Sequence, residues 1–430
     1  MSDLTIPTIE GPFSATVTPP GSKSLTNRAL ILAALADGVG EISNVLVADD
    51  TRVMIDALRT LGFSLEQHDT TIRISGREGT IPSRSAQLFC GNSGTSIRFL
   101  TALVSLGTGV YTLDGIERMR QRPIGALVDM LTTLGARCEY VGQHGFPPVK
   151  VLADGLAGGT AAFGREMSSQ FLSAALMVSP FARREVRINL ASHQTSWPYA
   201  AMTMQLMEHF GVRPEVTCDL KSSEPTQIVV PQGQYRATPY SVEPDASNAS
   251  YFLALAAIHP GATVTIQGLG KSSLQGDVGF ANVLDAMGAD LTLGSDFITI
   301  TGTERLEGID VDLSDMPDTA QTLAVASLFA KGSTTIRGLQ TLRVKETDRL
   351  SALAAELDKL GARVAVDHSS ISITPPNDLR PACIDTYNDH RMAMSFALAG
   401  TKRDGVTIRD IECVNKTYPG FFADLRRVAR

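Results

Sequence analysis

The stretch Gly21-Ser22-Lys23-Ser24, with Ala29-Leu30-Ile31-Leu32 behind it, sets the pattern from which the fold can be predicted. A short run of small polar residues, the types preferred at a helix N-cap, opens into an apolar helix. Five later stretches repeat this pattern: Asn92-Ser93-Gly94-Thr95-Ser96, Ser168-Ser169-Gln170, Asp245-Ala246-Ser247-Asn248, Pro317-Asp318-Thr319-Ala320-Gln321 and Asn388-Asp389-His390-Arg391. Since nearly all residues behind each opening are apolar or small, we expect six N-capped, buried helices.

A second class of helix has the same period and ends on glycine. The glycines concerned lie 73, 76, 77 and 73 residues apart: Gly62, Gly135, Gly211, Gly288 and Gly361. Glycine at this position favours the left-handed conformation that ends a helix, and strand-like stretches such as residues 136–140 and 362–366 follow. The repetition predicts about six βα units of near-equal size, the last cut short at the chain end, grouped as two domains of three units.

Composition and charge narrow the class of protein. The 430 residues are 43% hydrophobic and 19% charged, as expected for a soluble globular protein with more than one core. No stretch is long and apolar enough to span a bilayer, and residues 1–20 show no secretory or transit pattern, so a cytoplasmic location is expected. Five scattered cysteines without metal-ligand spacing predict reduced thiols and no metal site. A net charge of −7 argues against general nucleic-acid binding.

Positive charge is nevertheless concentrated at the helix openings. Lys23 and Arg28 lie at the first, Arg98 just inside the second and Arg391 at the sixth. Helix N-termini attract anions in the same places. Four further cations reinforce them: Arg122, Lys345, Arg349 and Lys416. The pattern predicts a small, multiply anionic substrate; caps that merely stabilise helices, by about 1 kcal/mol each, explain the cations poorly.

Two other functional classes fit the residues less well. A P-loop nucleotide enzyme would need glycine at the positions of Ser22 and Val17. A repeat protein that only binds partners would have interchangeable repeats, whereas here each helix opening carries a different chemical group.

From Pro19 to Phe421 the sequence resembles the 5-enolpyruvylshikimate-3-phosphate synthase family. The resemblance is carried by Pro20-Gly21-Ser22-Lys23-Ser24 with Asn27-Arg28, Gly91-Asn92-Ser93-Gly94-Thr95, Gln121-Arg122-Pro123-Ile124-Gly125, Ser168-Ser169-Gln170, Arg343-Val344-Lys345-Glu346-Thr347-Asp348-Arg349 and Asn388-Asp389-His390-Arg391-Met392. It implies an α/β (α+β) fold, a two-domain inside-out α/β barrel of six βαβαββ repeats with three in each domain. One domain would be 21–237 and the other 1–20 with 238–430, with the active site in the interdomain cleft.

The reaction that the resemblance implies is a carboxyvinyl transfer. The enolpyruvyl group of phosphoenolpyruvate would pass to the 5-hydroxyl of shikimate 3-phosphate, with release of phosphate, by addition and elimination through a tetrahedral intermediate. Both proton transfers need placed acid–base groups. The matching catalytic positions are Asp318, Glu346 and Lys23, and the sequence leaves open which of them moves which proton. So many fixed cations would make a metal or cofactor unnecessary, and a monomer is expected.

The binding positions also follow from the resemblance. Those implied for shikimate 3-phosphate are Lys23, Ser24, Arg28, Ser168, Ser169, Gln170, Ser196, Asp318, Thr341 and Lys345. Those implied for phosphoenolpyruvate are Lys23, Asn92, Gly94, Thr95, Arg122, Gln170, Arg349, Arg391 and Lys416. Arginine suits both ligands because its planar fork binds carboxylate or phosphate with two hydrogen bonds.

Three positions depart from the family pattern. Thr341 stands where many members carry asparagine, Phe99 where many have proline, and Ser93 where alanine is common. The last two could alter affinity for glyphosate, the family's inhibitor, but Gly94 is kept, so we expect glyphosate to bind. The related UDP-N-acetylglucosamine enolpyruvyl transferases are an alternative; they use a loop cysteine at the position occupied here by Glu117.

Overall fold

The computed structural model describes residues 2–164, 168–191 and 194–428. The chain forms two compact units: Gly21–Val242, here called the central unit, and Met1–Pro20 with Glu243–Arg430, called the split unit. The second boundary follows Val242, whereas the sequence placed it after residue 237. The chain from Thr238 to Val242 belongs to the central unit because Tyr240–Ser241 pairs with a strand of that unit.

Within the described residues twelve segments are α-helical. They are α1 Lys23–Leu35, α2 Asp49–Thr60, α3 Gly94–Val104, α4 Gly125–Thr133, α5 Ser169–Val178, α6 Trp197–His209, α7 Ala246–Ile258, α8 Phe280–Ala286, α9 Ala320–Ala326, α10 Arg349–Lys359, α11 His390–Lys402 and α12 Phe421–Val428. Short 3-10 turns occur at Met119–Gln121, Ser179–Phe181, Gly276–Gly279, Pro317–Thr319, Ser327–Phe329, Gln340–Val344 and Ile411–Lys416. None of these helices combines the length and apolar character needed to cross a bilayer.

The strands are short and spread along the whole chain. They are β1 Leu4–Thr5, β2 Ser14–Val17, β3 Val39–Ser43, β4 Ser64–His68, β5 Thr71–Ser75, β6 Ser85–Phe89, β7 Thr108–Asp114, β8 Cys138–Tyr140, β9 Val149–Asp154, β10 Gly159–Phe163, β11 Val186–Leu190, β12 Glu215–Cys218, β13 Pro225–Val230, β14 Tyr240–Ser241, β15 Thr263–Gln267, β16 Asp290–Leu293, β17 Phe297–Thr301, β18 Leu306–Glu307, β19 Asp310–Asp312, β20 Ala330–Lys331, β21 Thr334–Arg337, β22 Arg363–Val366, β23 Ile371–Thr374, β24 Ala382–Ile384 and β25 Val406–Ile408. The α/β class predicted from the sequence is confirmed.

One strand-pairing pattern recurs in the described sheets. In the sheet β6-β7-β9-β8 the first two strands are parallel and the next two pairings are antiparallel. The sheets β10-β11-β13-β12, β14-β3-β5-β4, β16-β17-β15-β2 and β19-β21-β23-β22 pair in the same way. A three-stranded sheet, β1-β25-β24, has the parallel pair β24–β25 and the antiparallel partner β1. Helix α3 connects the parallel strands β6 and β7, so its N-terminus follows the end of the first strand.

Two strands, β2 and β14, pair in the unit that the chain leaves directly after them. β2 precedes α1 but pairs with β15 in the split unit, and β14 precedes α7 but pairs with β3 in the central unit. The chain therefore leaves the split unit after Pro20 and returns to it at Glu243. Both units gain complete four-stranded sheets by this exchange.

The apolar helices behind the polar openings are buried, as predicted. α7 and α9 are buried along their whole length, and α1 is buried from Leu25 onward. The split unit has one hydrophobic core, which includes Phe252, Leu323 and Phe396. The five helix-terminal glycines have φ between 88° and 102°, which confirms their left-handed role. All five cysteines are free.

All six predicted openings precede helices, but at two of them, those of α3 and α9, the N-cap residue makes no side-chain hydrogen bond to a backbone N–H group of its helix. Ser22, Ser168, Asp245 and Asp389 accept hydrogen bonds from backbone N–H groups of their helices. In α3 the Ser93 hydroxyl instead pairs with the Ser96 hydroxyl at 2.8 Å. The Pro317–Thr319 stretch is a 3-10 turn without a side-chain cap, and the Asp318 carboxylate bonds to cationic side chains instead.

Candidate active site

Lys23 is the first residue of α1, and a glycine fixes its place. Gly21 packs directly on the loop before α2, where an added Cβ would lie 1.9 Å from the Asn44 carbonyl oxygen. Ser22 caps the helix, and the Lys23 ammonium lies 3.3 Å from the Asp50 carboxylate. Both charged side chains are largely buried. Asp50 was not predicted as a site residue; its place in the first turn of α2, as one of two adjacent aspartates, signals only a favourable helix dipole.

Arg28 lies one turn further along α1 and is 1% exposed. Its Nε donates to Thr203 Oγ1 at 2.6 Å, and Nη2 donates to Ser173 Oγ at 3.0 Å and to the Tyr199 carbonyl at 3.3 Å. Nη1 donates to the Ser24 carbonyl at 2.9 Å, and the guanidinium lies 5.2 Å from the centre of the Phe99 ring. Burial lowers the pKa of Arg28 to about 10, because its partners are hydroxyl and carbonyl oxygens.

Arg122 connects two further predicted residues of the central unit. Its Nη1 donates to the Asn92 carbonyl at 2.9 Å and to Asn92 Oδ1 at 3.2 Å. Gly94 leaves room for the guanidinium, since an added Cβ would lie 2.4 Å from Arg122 Nη2. Asn92, Gly94 and Arg122 therefore form one contact group at the start of α3.

Gln170 joins the start of α5 to the start of α3. Its Nε2 donates to Thr95 Oγ1 at 3.3 Å, and its Oε1 accepts from Arg98 Nη1. Arg98 also donates to the Pro123 carbonyl at 3.2 Å and lies over the Phe171 ring at 4.8 Å. The sequence marked Arg98 only as a local cation; its contact with Gln170 gives it a role in orienting that amide.

The remaining predicted residues of the central unit lie at helix starts. Ser168 caps α5 by accepting from Gln170 N at 3.4 Å, and Ser169 is the buried first residue of that helix. Ser196 is the N-cap residue of α6 and is buried in the left-handed region, with φ 59°. A non-glycine residue in that region indicates a locally constrained loop.

Asp318 is the centre of an ion-pair cluster in the split unit. Its Oδ1 lies 3.1 Å from Arg349 Nη1 and 3.5 Å from Lys345 Nζ, and its Oδ2 accepts from Arg391 Nη2 at 2.9 Å. The chain brings these residues together from the Pro317–Thr319 turn, the loop before α10, and the starts of α10 and α11. Predicted catalytic and binding residues thus share one contact network.

Glu346 belongs to the same cluster through Arg349. Its Oε2 accepts from Arg349 Nη2 at 2.9 Å, and its Oε1 lies 3.7 Å from Lys416 Nζ. Arg349 also donates two hydrogen bonds to Asp389, from Nε to Oδ2 at 2.8 Å and from Nη2 to Oδ1 at 3.3 Å. Burial alone would lower the pKa of Arg349, which is 1% exposed, but Asp389, Glu346 and Asp318 together raise it above its ordinary value. The guanidinium is therefore a permanent cation between three carboxylates.

Tyr251 and Asp389 complete the surroundings of Arg391. The Tyr251 hydroxyl accepts from Arg391 Nη1 at 3.4 Å, and Asp389 caps α11 by accepting from Arg391 N at 2.9 Å. Burial raises the pKa of Tyr251 to about 12, although the Arg391 guanidinium opposes the shift, so the phenol stays protonated. Neither residue was predicted as part of the site; Asp389 had a signal, as the second residue of the sixth opening.

Thr341 lies in the 3-10 turn Gln340–Val344, just before Lys345. Its hydroxyl is buried and makes no hydrogen bond within the described part of the chain. A buried hydroxyl in this state costs free energy unless a ligand or water satisfies it. It is available to hydrogen-bond a ligand.

The charges of each group favour anions. In the central unit the site residues include four cations, Lys23, Arg28, Arg98 and Arg122, and the Asp50 carboxylate contacts Lys23. In the split unit Lys345, Arg349, Arg391 and Lys416 contact the carboxylates of Asp318, Glu346 and Asp389. The first group suits binding of anions, and the second combines binding with two carboxylates, Asp318 and Glu346, able to move protons.

Comparison with known proteins identifies the family. The model of the EPSP synthase (3-phosphoshikimate 1-carboxyvinyltransferase) family matches residues 7–425. The chain belongs to the EPSP synthase family. A 3-phosphoshikimate 1-carboxyvinyltransferase of Shewanella loihica is 47% identical over 420 residues, covering 96% of this chain and 97% of the relative. One from Shewanella denitrificans is 46% identical over 416 residues, covering 96% and 95%.

Solved EPSP synthases also share the fold. The structure of EPSP synthase from Acinetobacter baumannii superposes with a TM-score of 0.81 at 27% identity, over 99% of this chain and 98% of that chain. The resemblance first seen in the helix openings is confirmed. The alternative of a UDP-N-acetylglucosamine enolpyruvyl transferase is not favoured by these EPSP synthase relatives.

Proposed function

We propose that this protein transfers the enolpyruvyl group of phosphoenolpyruvate to the 5-hydroxyl of shikimate 3-phosphate and releases inorganic phosphate. The reaction is that named for its EPSP synthase relatives, and it is a step of chorismate and aromatic amino acid biosynthesis. The observation that carries it is the cluster of Asp318 and Glu346 around Arg349. Buried cations hold two carboxylates in place there, among positive charges suited to anionic substrates.

Asp318, Glu346 and Lys23 together carry out the proton transfers of the reaction. Addition requires a proton to reach the methylene carbon of phosphoenolpyruvate while the 5-hydroxyl attacks the neighbouring carbon and loses its own proton. In the elimination, phosphate leaves the tetrahedral intermediate and the methyl carbon gives its proton back. Asp318 serves as the base near the hydroxyl, and Glu346 acts at the carbon. Lys23 contributes a proton and a positive charge to the same steps.

The remaining site residues bind the substrates. We assign shikimate 3-phosphate to Lys23, Ser24, Arg28, Ser168, Ser169, Gln170, Ser196, Asp318, Thr341 and Lys345. We assign phosphoenolpyruvate to Lys23, Asn92, Gly94, Thr95, Arg122, Gln170, Arg349, Arg391 and Lys416. The Thr341 hydroxyl, the start of α5 and the uncompensated charge of Arg28 support the first assignment. The Arg122–Asn92–Gly94 group supports the second.

The finer architecture belongs to the same proposal. We infer six βαβαββ repeats, three to a domain, arranged as an inside-out α/β barrel. The recurring strand pairing and the exchange of β2 and β14 support the repeat. A cytoplasmic monomer that works without metal or cofactor is the accompanying expectation.

Phosphate release from phosphoenolpyruvate tests the proposal. The assay compares shikimate 3-phosphate with UDP-N-acetylglucosamine as acceptor in chelator-treated buffer. Release with shikimate 3-phosphate alone is expected, and Asp318→Asn should lose at least about a hundredfold in kcat, the scale of one acid–base group. Release with the nucleotide sugar alone would overturn the acceptor assignment, and release with neither would overturn the proposed reaction.

A further inference from the structure

A second buried carboxylate network lies behind the ion-pair cluster of the split unit. Glu356, in the second half of α10, is fully buried. Its Oε1 accepts from the Tyr387 hydroxyl at 2.6 Å, and its Oε2 accepts from Asp385 N at 2.9 Å and from Lys359 Nζ at 2.7 Å. None of the substrate assignments above uses these four residues.

The partners of Glu356 lie in the segment that leads into α11. Tyr387 and Asn388 both adopt left-handed backbone, with φ 54° and 53°, between β24 and the cap residue Asp389. Asp389 N donates to the Thr386 carbonyl at 2.9 Å, which closes this turn. Two successive non-glycine residues in this conformation need surrounding contacts to hold them.

Helix α10 holds the segment at two points. Arg349, its first residue, binds both carboxylate oxygens of Asp389, and Glu356, two turns later, binds Tyr387 and the backbone of Asp385. Between these points lies the turn that sets the direction of α11. Arg391, in the first turn of α11, therefore takes its position toward Asp318 from a segment fixed at both ends.

We propose that Glu356 and Tyr387 are positioning residues for Arg391 and hence for binding of phosphoenolpyruvate. The proposal rests on the proposed function, which assigns Arg391 to that substrate. A cationic side chain binds an anionic substrate less tightly when it is displaced from its proper position by even about an ångström. Loss of the Tyr387–Glu356 hydrogen bond should therefore weaken phosphoenolpyruvate binding, although neither residue is assigned to a substrate.

Steady-state kinetics of four single variants and of the Tyr387→Phe/Glu356→Gln double variant test the pair. Tyr387→Phe removes only a hydroxyl from a partly exposed ring, and Glu356→Gln keeps the shape of the buried side chain. Arg409→Gln is the matched control, because Arg409 joins the same network through Asp385 at 2.8 Å but contacts neither Glu356 nor Tyr387 in the described structure. Arg391→Lys is the benchmark for the substrate assignment.

We expect Tyr387→Phe and Glu356→Gln to raise KM for phosphoenolpyruvate by about threefold to tenfold, the scale of one hydrogen bond. KM for shikimate 3-phosphate should stay within about twofold, as should both constants of Arg409→Gln. The double variant should be no worse than the more severe single variant, since both act through one contact.

Equal rises in both KM values, or a loss of melting temperature alone, would overturn the positioning role. The same holds if Arg391→Lys raises KM for phosphoenolpyruvate and Tyr387→Phe does not. If Arg391→Lys leaves that KM unchanged, the assignment of Arg391 fails instead, and with it that part of the proposed function.

Discussion

At the scale of single residues, each unit contains a buried arginine, and the pKa values of the two arginines shift in opposite directions. Arg28 is surrounded by hydroxyl and carbonyl oxygens, and burial lowers its pKa to about 10. Arg349 is surrounded by three carboxylates that raise its pKa above the ordinary value. A buried charge is costly unless an opposite charge compensates it. The charge of Arg28 is therefore suited to an anionic ligand, as proposed, whereas the charge of Arg349 is already compensated by the carboxylates that surround it.

Gly94→Ala tests the contact between α3 and Arg122. The added Cβ would lie 2.4 Å from Nη2 and 2.7 Å from Cζ, so the guanidinium must move. We expect KM for phosphoenolpyruvate to rise by about tenfold or more, with a smaller effect on shikimate 3-phosphate. Gly279→Ala is the control, because its Cβ would meet only Met316, at an ordinary 3.6 Å. Equal kinetics of the two variants would show that Arg122 does not bind phosphoenolpyruvate.

Glyphosate sensitivity is a separate prediction at the same position. Gly94 adds no side chain beside Arg122, Phe99 is buried against Arg28, and the Ser93 hydroxyl pairs with the Ser96 hydroxyl. We expect glyphosate to compete with phosphoenolpyruvate. Initial rates at several concentrations of both compounds measure this; uncompetitive inhibition, or none at millimolar glyphosate, would contradict it.

At the scale of helices, Arg28 joins three elements. It starts on α1, its partner Ser173 is on α5, and Thr203 and Tyr199 are on α6. Thr203 Oγ1 also donates to the Tyr199 carbonyl at 2.8 Å, so its hydroxyl connects the arginine to the helix backbone. A polar contact among three apolar helices fixes their relative register more specifically than apolar packing does.

Thr203→Val should therefore destabilise the protein. The substitution keeps the shape of the side chain but leaves Nε of a buried cation without its acceptor, at a cost of about 1–3 kcal/mol. Urea unfolding followed by circular dichroism measures this cost, and KM for shikimate 3-phosphate should rise as well. Thr203→Ser keeps the hydroxyl and is the matched control. Equal stability of the two variants would mean that the hydroxyl does not hold Arg28.

His259 at the end of α7 predicts a pH dependence of stability. The Thr401 hydroxyl donates to the Leu398 carbonyl at 2.7 Å, so His259 Nε2 donates to Thr401 Oγ1 at 2.9 Å. Burial, with Lys402 nearby, lowers the pKa of His259 from 6.5 to about 4. Between pH 6.5 and 4 the unfolded chain binds the proton and the folded chain does not.

The stability contributed by neutral His259 is thus present above pH 6.5 and is lost as the pH falls toward 4, with a slope of up to about 1.4 kcal/mol per pH unit. His259→Gln should flatten the dependence of the unfolding free energy on pH across this interval. His368→Gln, at an exposed histidine, should leave it as in the parent protein. Identical pH profiles for parent and His259→Gln would contradict the prediction.

The sequence predicted the elements better than their contacts. Small polar openings and terminal glycines locate six buried helices because capping and left-handed backbone are local properties. The roles of Asp50, Ser173 and Thr203 were missed because each depends on a partner distant in sequence. For the same reason the sequence, which predicted Asp318 as a catalytic residue, did not predict its contacts with Lys345, Arg349 and Arg391.

At the scale of the whole molecule, the exchange of β2 and β14 decides where a unit ends. The family resemblance implies a boundary after residue 237, in the loop after β13, but strand pairing carries the central unit on to Val242. Val242 N donates to the Ser43 carbonyl at 3.0 Å, and Asn44 Nδ2 donates to the Val242 carbonyl at 2.7 Å. His209 adds a hydrogen bond to the Pro239 carbonyl at 3.1 Å. Pairing of this kind cannot be read from sequence, since β14 has only two residues.

Fragments of the chain test this boundary. A fragment of residues 21–242 keeps β14 and its contacts, whereas 21–237 loses the edge strand of the β14-β3-β5-β4 sheet and exposes Ile42 and Ser43 at a new edge. The lost hydrogen bonds are worth about 1 kcal/mol each, so the shorter fragment should melt at least about 5 °C lower by circular dichroism. A third fragment, 21–247, should have the same melting temperature as 21–242, because the chain from Glu243 onward belongs to the split unit. If 21–237 melts at the same temperature as the two longer fragments, β14 does not stabilise the central unit, and the boundary after residue 237 that the family resemblance implies is the better one.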